Sequence, residues 1–167
     1  MENEKRSYYE KYWQKDNTSW SPHDQRPSPV LIDAISKLVQ PGMYVLDYGC
    51  GDCSKCGGLI TSLGATYVGV DLSLTALRDC RKRNYKAILC DNEISLLPFT
   101  ENTFDLILCL EVLEHLFRPD LALHNMIHVL KPNGFLVVSV PNICLLYTSR
   151  AHETPEHLVC RLLLEKK

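Results

Sequence analysis

Five short, largely apolar runs punctuate the chain, at residues 43–46, 67–70, 86–90, 104–110 and 135–140. Each has the length of a strand rather than of a helix. The segments between them carry helical spacing instead. In residues 30–39, Val30, Leu31, Ala34, Ile35 and Leu38 share one face. Residues 54–63 predict a helix that Gly57 and Gly58 weaken by roughly 1 kcal/mol each against alanine. Ser73 is placed to cap a helix that turns Leu74, Leu77 and Cys80 inward. Leu123, Met126, Ile127 and Leu130 fall at i, i+3, i+4 and i+7, the stripe of a core-facing helix. Pro132-Asn133-Gly134 then turns the chain into the last run, which is apolar enough to expect cover on both faces. Strand and helix alternate throughout, which predicts an α/β domain on a parallel sheet with right-handed crossovers. Ahead of this lies an aromatic stretch, residues 6–15, in which Tyr9, Tyr12 and Trp13 share a helical face. It reads as a helix that packs on the domain or serves as a lid. A proline-rich loop, residues 17–29, follows it.

The domain is organised around Asp47-Tyr48-Gly49-Cys50-Gly51-Asp52-Cys53. An acidic residue closes the first strand, and two glycines follow at alternate positions. Glycine takes positive φ at little cost and lets a ligand approach the backbone. Asp71 closes the second strand, where dinucleotide-binding folds place an acid for ribose hydroxyls. The glycine pair alone is a weak signal; flanked by two strand-ending acids it is a strong one.

These residues resemble the motifs of the class I S-adenosylmethionine (SAM) dependent methyltransferases, in particular the type 11-like domain. Asp47-Tyr-Gly-Cys-Gly51 is similar to that family's first motif. Val68-Gly-Val-Asp-Leu-Ser73, Leu97-Pro-Phe99 with Phe104-Asp-Leu-Ile107, Glu111-Val-Leu-Glu-His115, and Leu130-Lys-Pro-Asn-Gly134 with residues 137–142 follow in the family's order. The resemblance covers residues 7–142. It implies a Rossmann-like doubly wound sheet of strand order 3-2-1-4-5, continued in the family by two further strands that are missing here. It implies SAM as cofactor and methyl transfer to a small-molecule acceptor. Asp47, Gly49, Cys50 and Gly51 would cradle the methionine part, Asp71 the ribose and Leu72 the adenine ring. Asp91 would accept from the adenine amine with Asn92 beside it, and Leu110 and Glu111 would floor the site near the methyl group. The family usually has a third glycine where Cys53 stands.

Composition narrows the picture modestly. A net charge of −2 gives no electrostatic case for a nucleic-acid partner. No apolar run reaches the ~18 residues of a membrane span, and no signal peptide is visible. Eight cysteines, most in or beside strands and the ligand turn, suit a reducing, cytoplasmic setting better than a disulfide framework. Arg78, Arg81, Lys82 and Arg83 form the outer face of a helix, a solvated surface or a binding patch.

From Cys144 onward the pattern changes. Cys144-Leu-Leu-Tyr-Thr-Ser149 resembles the translation of a transposase-end sequencing adapter, and residues 157–167 that of its far end. The expected organisation is therefore an N-terminal helix and loop (1–29), a truncated SAM-binding domain (30–143), and a non-native tail (144–167) trailing with few core contacts. The last domain strand would then be an open edge.

Two clusters carry alternatives. Cys50, Cys53 and Cys56 spell Cys-x2-Cys-x2-Cys, either an iron–sulfur or zinc run or small residues in a tight turn. A bacterial ferredoxin run would need a further cysteine where Ile60 stands. If a helix follows the fourth strand, Glu111, Glu114 and His115 share one face. They could hold a divalent cation, as in metal-assisted RNA or quinone O-methyltransferases, or His115 could serve as general base. The site expected here includes no metal. A non-catalytic SAM-binding module and a nicotinamide-dependent oxidoreductase are the rival classes, the latter disfavoured by Asp47 and the absent third glycine.

Overall fold

The computed structural model describes residues 2–14, 27–91, 96–141 and 159–165. In chain order the elements are α1 (Glu2–Trp13), α2 (Pro29–Leu38), β1 (Tyr44–Tyr48), α3 (Gly57–Ser62), β2 (Thr66–Asp71) and α4 (Leu74–Lys82). There follow β3 (Lys86–Leu89), β4 (Phe104–Leu110), a 3-10 turn (Leu113–His115), α5 (Pro119–Val129), β5 (Leu130–Pro141) and β6 (Val159–Glu165). Among these residues no helix is long and apolar enough to cross a membrane.

The sheet runs β3-β2-β1-β4-β5-β6. The first five strands are parallel, in the order the resemblance implied. The chain steps outward from β1 to β3 and then returns across β1 to β4. The order therefore reverses between β1 and β4, and the crevice at their carboxyl ends is where such sheets bind ligands. Two cores form, one on each face. Leu31, Ile35, Val45, Ile60, Tyr67, Leu77 and Leu106 fill the first. Leu46, Tyr48, Ile107, Met126, Val129 and Leu136 fill the second.

Local chemistry explains where elements start. Ser28 caps α2 by accepting from the Leu31 amide at 3.4 Å, and Pro29 opens the helix. Ser73 Oγ accepts from the Ala76 amide at 3.3 Å and caps α4. The helix expected over 54–63 is shorter. Asp52 accepts from both the amide (3.1 Å) and the hydroxyl (2.5 Å) of Ser54, so a side-chain turn competes with the helix there. On α5 the buried face is Ala122, Asn125, Met126 and Val129, while Ile127 is 44 % exposed. The expected stripe is rotated because Leu130 leaves the helix to pair with Phe104 in the sheet. The expected turn at 132–134 is absorbed into β5 as a register shift against β4, with Asn133 at φ 62°.

The largest correction concerns the tail. Residues 159–165 do not trail: β6 pairs antiparallel with β5 over seven residue positions, from Phe135 opposite Glu165 to Pro141 opposite Val159. An apolar edge strand presents a row of unpaired amides and carbonyls, and a hydrophobic segment in extended form satisfies them. β5 is therefore not an edge. A chain ending at residue 141 should expose that row, and light scattering after size exclusion should show it self-associating. A monodisperse truncated chain would mean that β6 pairing is dispensable.

Candidate cofactor and acceptor site

Asp47 lies at the carboxyl half of β1 and is 4 % exposed. Its Oδ2 accepts from the Tyr67 hydroxyl at 2.7 Å. Burial pushes its carboxyl up to about 6, against the Tyr67 hydrogen bond and the nearby Lys55 charge, which pull it down. Gly49 and Gly51 take φ of 76° and 55°, the left-handed region. A Cβ on Gly51 would fall on the Trp13 ring, so α1 lies directly against the turn. Cys50 is buried beneath it.

Asp71 closes β2. Its Oδ2 accepts from the Gly51 amide and its Oδ1 from the Ser73 amide, both at 2.8 Å. Burial raises its carboxyl, partly countered by the Ser73, Gly51 and Leu72 amides. Each oxygen keeps further lone-pair capacity. Leu72 follows, half-buried. Asp91, half-buried, stands just beyond β3, and Asn92 lies outside the described residues. Leu110 ends β4, 6 % exposed. Glu111 follows at φ 58° and accepts from the Ser139 hydroxyl at 2.8 Å. Asp47, Asp71 and Glu111 thus stand at the same edge of the sheet.

The expected helical face of Glu111, Glu114 and His115 does not form. Only a 3-10 turn, Leu113–His115, follows β4. Glu111 is drawn to β5, while His115 Nε2 is 3.9 Å from Glu114 Oε1 and its side chain is 56 % exposed. Among the described residues, the group whose donor atoms converge as metal ligands would is instead Cys50, Cys53 and Cys80. Two of those sulfurs, of Cys53 and Cys80, form a disulfide with a Cα–Cα distance of 5.3 Å. The cysteine placement suggests a reducing setting rather than a disulfide framework, and this one bond departs from it. Cys50, Cys56, Cys90 and Cys109 are buried and take no part in a disulfide.

Sequence reasoning missed Glu10. Its carboxylate accepts from the Leu74 amide (2.7 Å), the Thr75 amide (3.0 Å) and the Ser73 hydroxyl (3.1 Å), so it caps α4 from α1. Burial alone would raise its carboxyl, but the Thr75, Leu74 and Ser73 donors outweigh it and hold it low. No local signal could have found a contact across 64 residues. Beside this joint a cleft of about 230 Å³ is lined by Glu4, Lys5, Tyr8, Tyr9, His115 and Phe117. The Tyr9 and His115 rings meet edge-on, 6.4 Å between centroids. Burial against these neighbours pulls the His115 imidazole below its usual value, against the pull of Glu111.

A parallel sheet in this order, with acids closing β1 and β2 around a glycine turn, has the topology of the class I methyltransferase fold. A family model described as "Methyltransferase domain" matches residues 46–138, and the chain belongs to that family. It is 36% identical over 138 residues to the ubiquinone biosynthesis O-methyltransferase of Xylella fastidiosa (strain 9a5c), covering 74% of this chain and 54% of that protein. The protein of the same name from Dechloromonas aromatica (strain RCB) is 31% identical over 144 residues, covering 78% and 58%. The chain thus spans about half the length of the curated relatives it matches. Among solved structures, an S-adenosylmethionine dependent methyltransferase from Mesorhizobium loti superposes with a TM-score of 0.60 at 23% identity, covering 68% of this chain and 53% of that one. The [4+2]-cyclase SpnF superposes equally well (TM-score 0.60, 25% identity, 77% and 49% covered), so the fold alone does not dictate the reaction.

Proposed function

We propose that this chain is the cofactor-binding part of a SAM-dependent O-methyltransferase whose acceptor is a small hydroxylated aromatic ring. The observation that carries the reading is the aromatic cleft of Tyr8, Tyr9, Phe117 and His115, the last on the 3-10 turn that follows β4 and Glu111. The names of the relatives point the same way.

The donor set suits a ligand that carries an ammonium and a sulfonium. Asp47 supplies a buried carboxylate for the ammonium, and the Gly49–Gly51 turn brings backbone close to it. Asp71 is pinned by two amides with lone pairs left for ribose hydroxyls. Leu72 would pack on the adenine, Asp91 would accept from its amine, and Leu110 and Glu111 would form the floor. When bound, SAM supplies a methyl carbon already activated by its positive sulfur. What remains for the protein is alignment of nucleophile and methyl group, an orientation effect.

His115 is the group that moves a proton. Its neutral form prevails at neutral pH, so it can accept from an acceptor hydroxyl in the cleft. Incubating the chain with SAM and a catechol should give a methyl ether, detected by mass. His115→Ala should lower kcat roughly 100-fold or more, the usual range for losing a general base, with affinity for S-adenosylhomocysteine unchanged. Methyl transfer undiminished in that variant would end the base assignment. Cofactor binding without turnover on any phenol would favour a non-catalytic SAM-binding module.

A further inference from the structure

We propose that Cys50, Cys53 and Cys80 form a thiol–disulfide switch that sets how tightly the glycine turn holds the cofactor. The inference rests on the reading of that turn as the cofactor cradle, and it adds a control that the methyl-transfer chemistry does not require.

The geometry is specific. Cys50 and Cys53 flank Gly51 and Asp52 in a Cys-x2-Cys arrangement inside the turn, and Cys80 lies on α4, beyond α3 and β2. The three sulfurs lie within 4.8 Å of one another, all buried. The Cys53–Cys80 bond closes across a sequence separation of 27 and joins the turn after β1 to the helix after β2. Those are the two segments that must stand at fixed distance if one ligand is to touch Asp47 and Asp71 together. Room for the third sulfur is built in: a Cβ on Gly69 in β2 would sit 2.5 Å from Cys50 Sγ.

The same two segments share weaker ties, which show what the bond reinforces. Arg83, just past α4, reaches Asp52 at 3.3 Å. Cys80 Sγ packs 3.1 Å from the Gly51 carbonyl, to which it can donate only once the bond is open and the sulfur carries a proton. Against them works the backbone of Cys53, at φ 61°, a conformation disfavoured for any residue with a Cβ. With the bond closed, Cys53 is held there, and Gly51 presents its amide to Asp71. With the bond open, the turn is free to relax to a commoner conformation, and the cradle loses its preorganisation. The oxidised form is therefore the tight-binding one.

The chemistry balances with a small dithiol as reductant. A thiolate of the dithiol attacks one sulfur of the pair, the Cys53–Cys80 bond breaks, and the second thiol closes the reagent into a cyclic disulfide. Two electrons and two protons pass to Cys53 and Cys80, and the cyclic disulfide reverses the step. Cys50 is the internal exchange partner: its attack on Cys53 would form Cys50–Cys53 and release Cys80 as a thiol. Burial pushes the Cys50 thiol well up, so exchange waits on opening of the turn, beneath Trp13 of α1.

The test is calorimetric titration of the whole chain with S-adenosylhomocysteine, after equilibration in oxidised or in reduced dithiothreitol. A Cys53–Cys80 linked peptide should appear in a non-reducing digest of the oxidised sample. The oxidised chain should bind five- to tenfold more tightly than the reduced one. Cys80→Ala should abolish the difference, and so should Cys53→Gly, which keeps the positive φ accessible and should fold even if Cys80→Ala does not. Cys56→Ser, at a buried cysteine outside the cluster, should keep it. Equal affinities in both buffers with the linked peptide present would overturn the switch and leave the cofactor reading intact. Absence of binding in both buffers would overturn both together.

Discussion

Replacing Asp71 with alanine should weaken binding of S-adenosylhomocysteine about 10- to 100-fold. A hydrogen bond to a charged acceptor is worth roughly 1.5–3 kcal/mol, and each 1.4 kcal/mol is tenfold in affinity. Asp71 also positions the site from within. Its two oxygens hold the Gly51 and Ser73 amides, each at 2.8 Å, so the variant loses the ligand contact and the tether of the glycine turn at once. Asp71→Asn keeps an acceptor oxygen without the charge and should fall between the two. Calorimetry on both, with thermal melts to establish that they fold, gives the comparison. Affinity unchanged in Asp71→Ala would refute the ribose assignment.

Asp47→Asn should have two effects of opposite sign: a more stable protein and a much weaker ligand site. Burial lifts the Asp47 carboxyl from 3.8 to about 6, so the folded chain binds this proton more tightly than the unfolded one. Between those two values the folded state carries more protons, and stability falls as pH rises through the window. Below about 3.8 the penalty is absent, and above about 6 it is fully present, roughly 3 kcal/mol. Asparagine can still accept from Tyr67, 2.7 Å away in the parent, but carries no charge to desolvate. The melting temperature at pH 7 should therefore rise by several degrees, at roughly 2–4 °C per kcal/mol for a chain of this size. The gain should vanish near pH 4. Affinity for the cationic cofactor should drop at least tenfold, because its ammonium loses a charged partner. In the parent, affinity should rise as pH increases from 5 to 7 and Asp47 ionises. A variant that melts lower at pH 7 would show that the buried carboxylate stabilises the fold.

The expectation for His115 depends on α1 more than on its own motif. Glu111-Val-Leu-Glu-His115 suggested a helical face, yet the chain makes a single 3-10 turn and sends Glu111 to Ser139. The aromatic face of α1, legible as Tyr9, Tyr12 and Trp13, proved to border both the aromatic cleft, through Tyr9, and the glycine turn, through Trp13. Its role as cover was open in the sequence because packing partners do not follow from helical spacing.

Periodicity and strand-ending acids were enough to predict β1, β2, β4 and the glycine turn, together with the placement of Asp47, Asp71 and Glu111 at one edge. Apolar runs of strand length, separated by amphipathic segments, can bury their surface only by alternating in a parallel sheet, and such a sheet puts every strand's carboxyl end on the same side. The Glu10 cap on α4, the Trp13 contact with Gly51 and the Cys53–Cys80 bond are different in kind. Each joins residues far apart in the chain whose meeting depends on how α1, the turn and α4 dock, and no local pattern encodes that docking. The same holds for β6. Its pairing was decided by the open backbone edge of β5, which accepts an extended apolar segment for its hydrogen bonds rather than for its side-chain pattern.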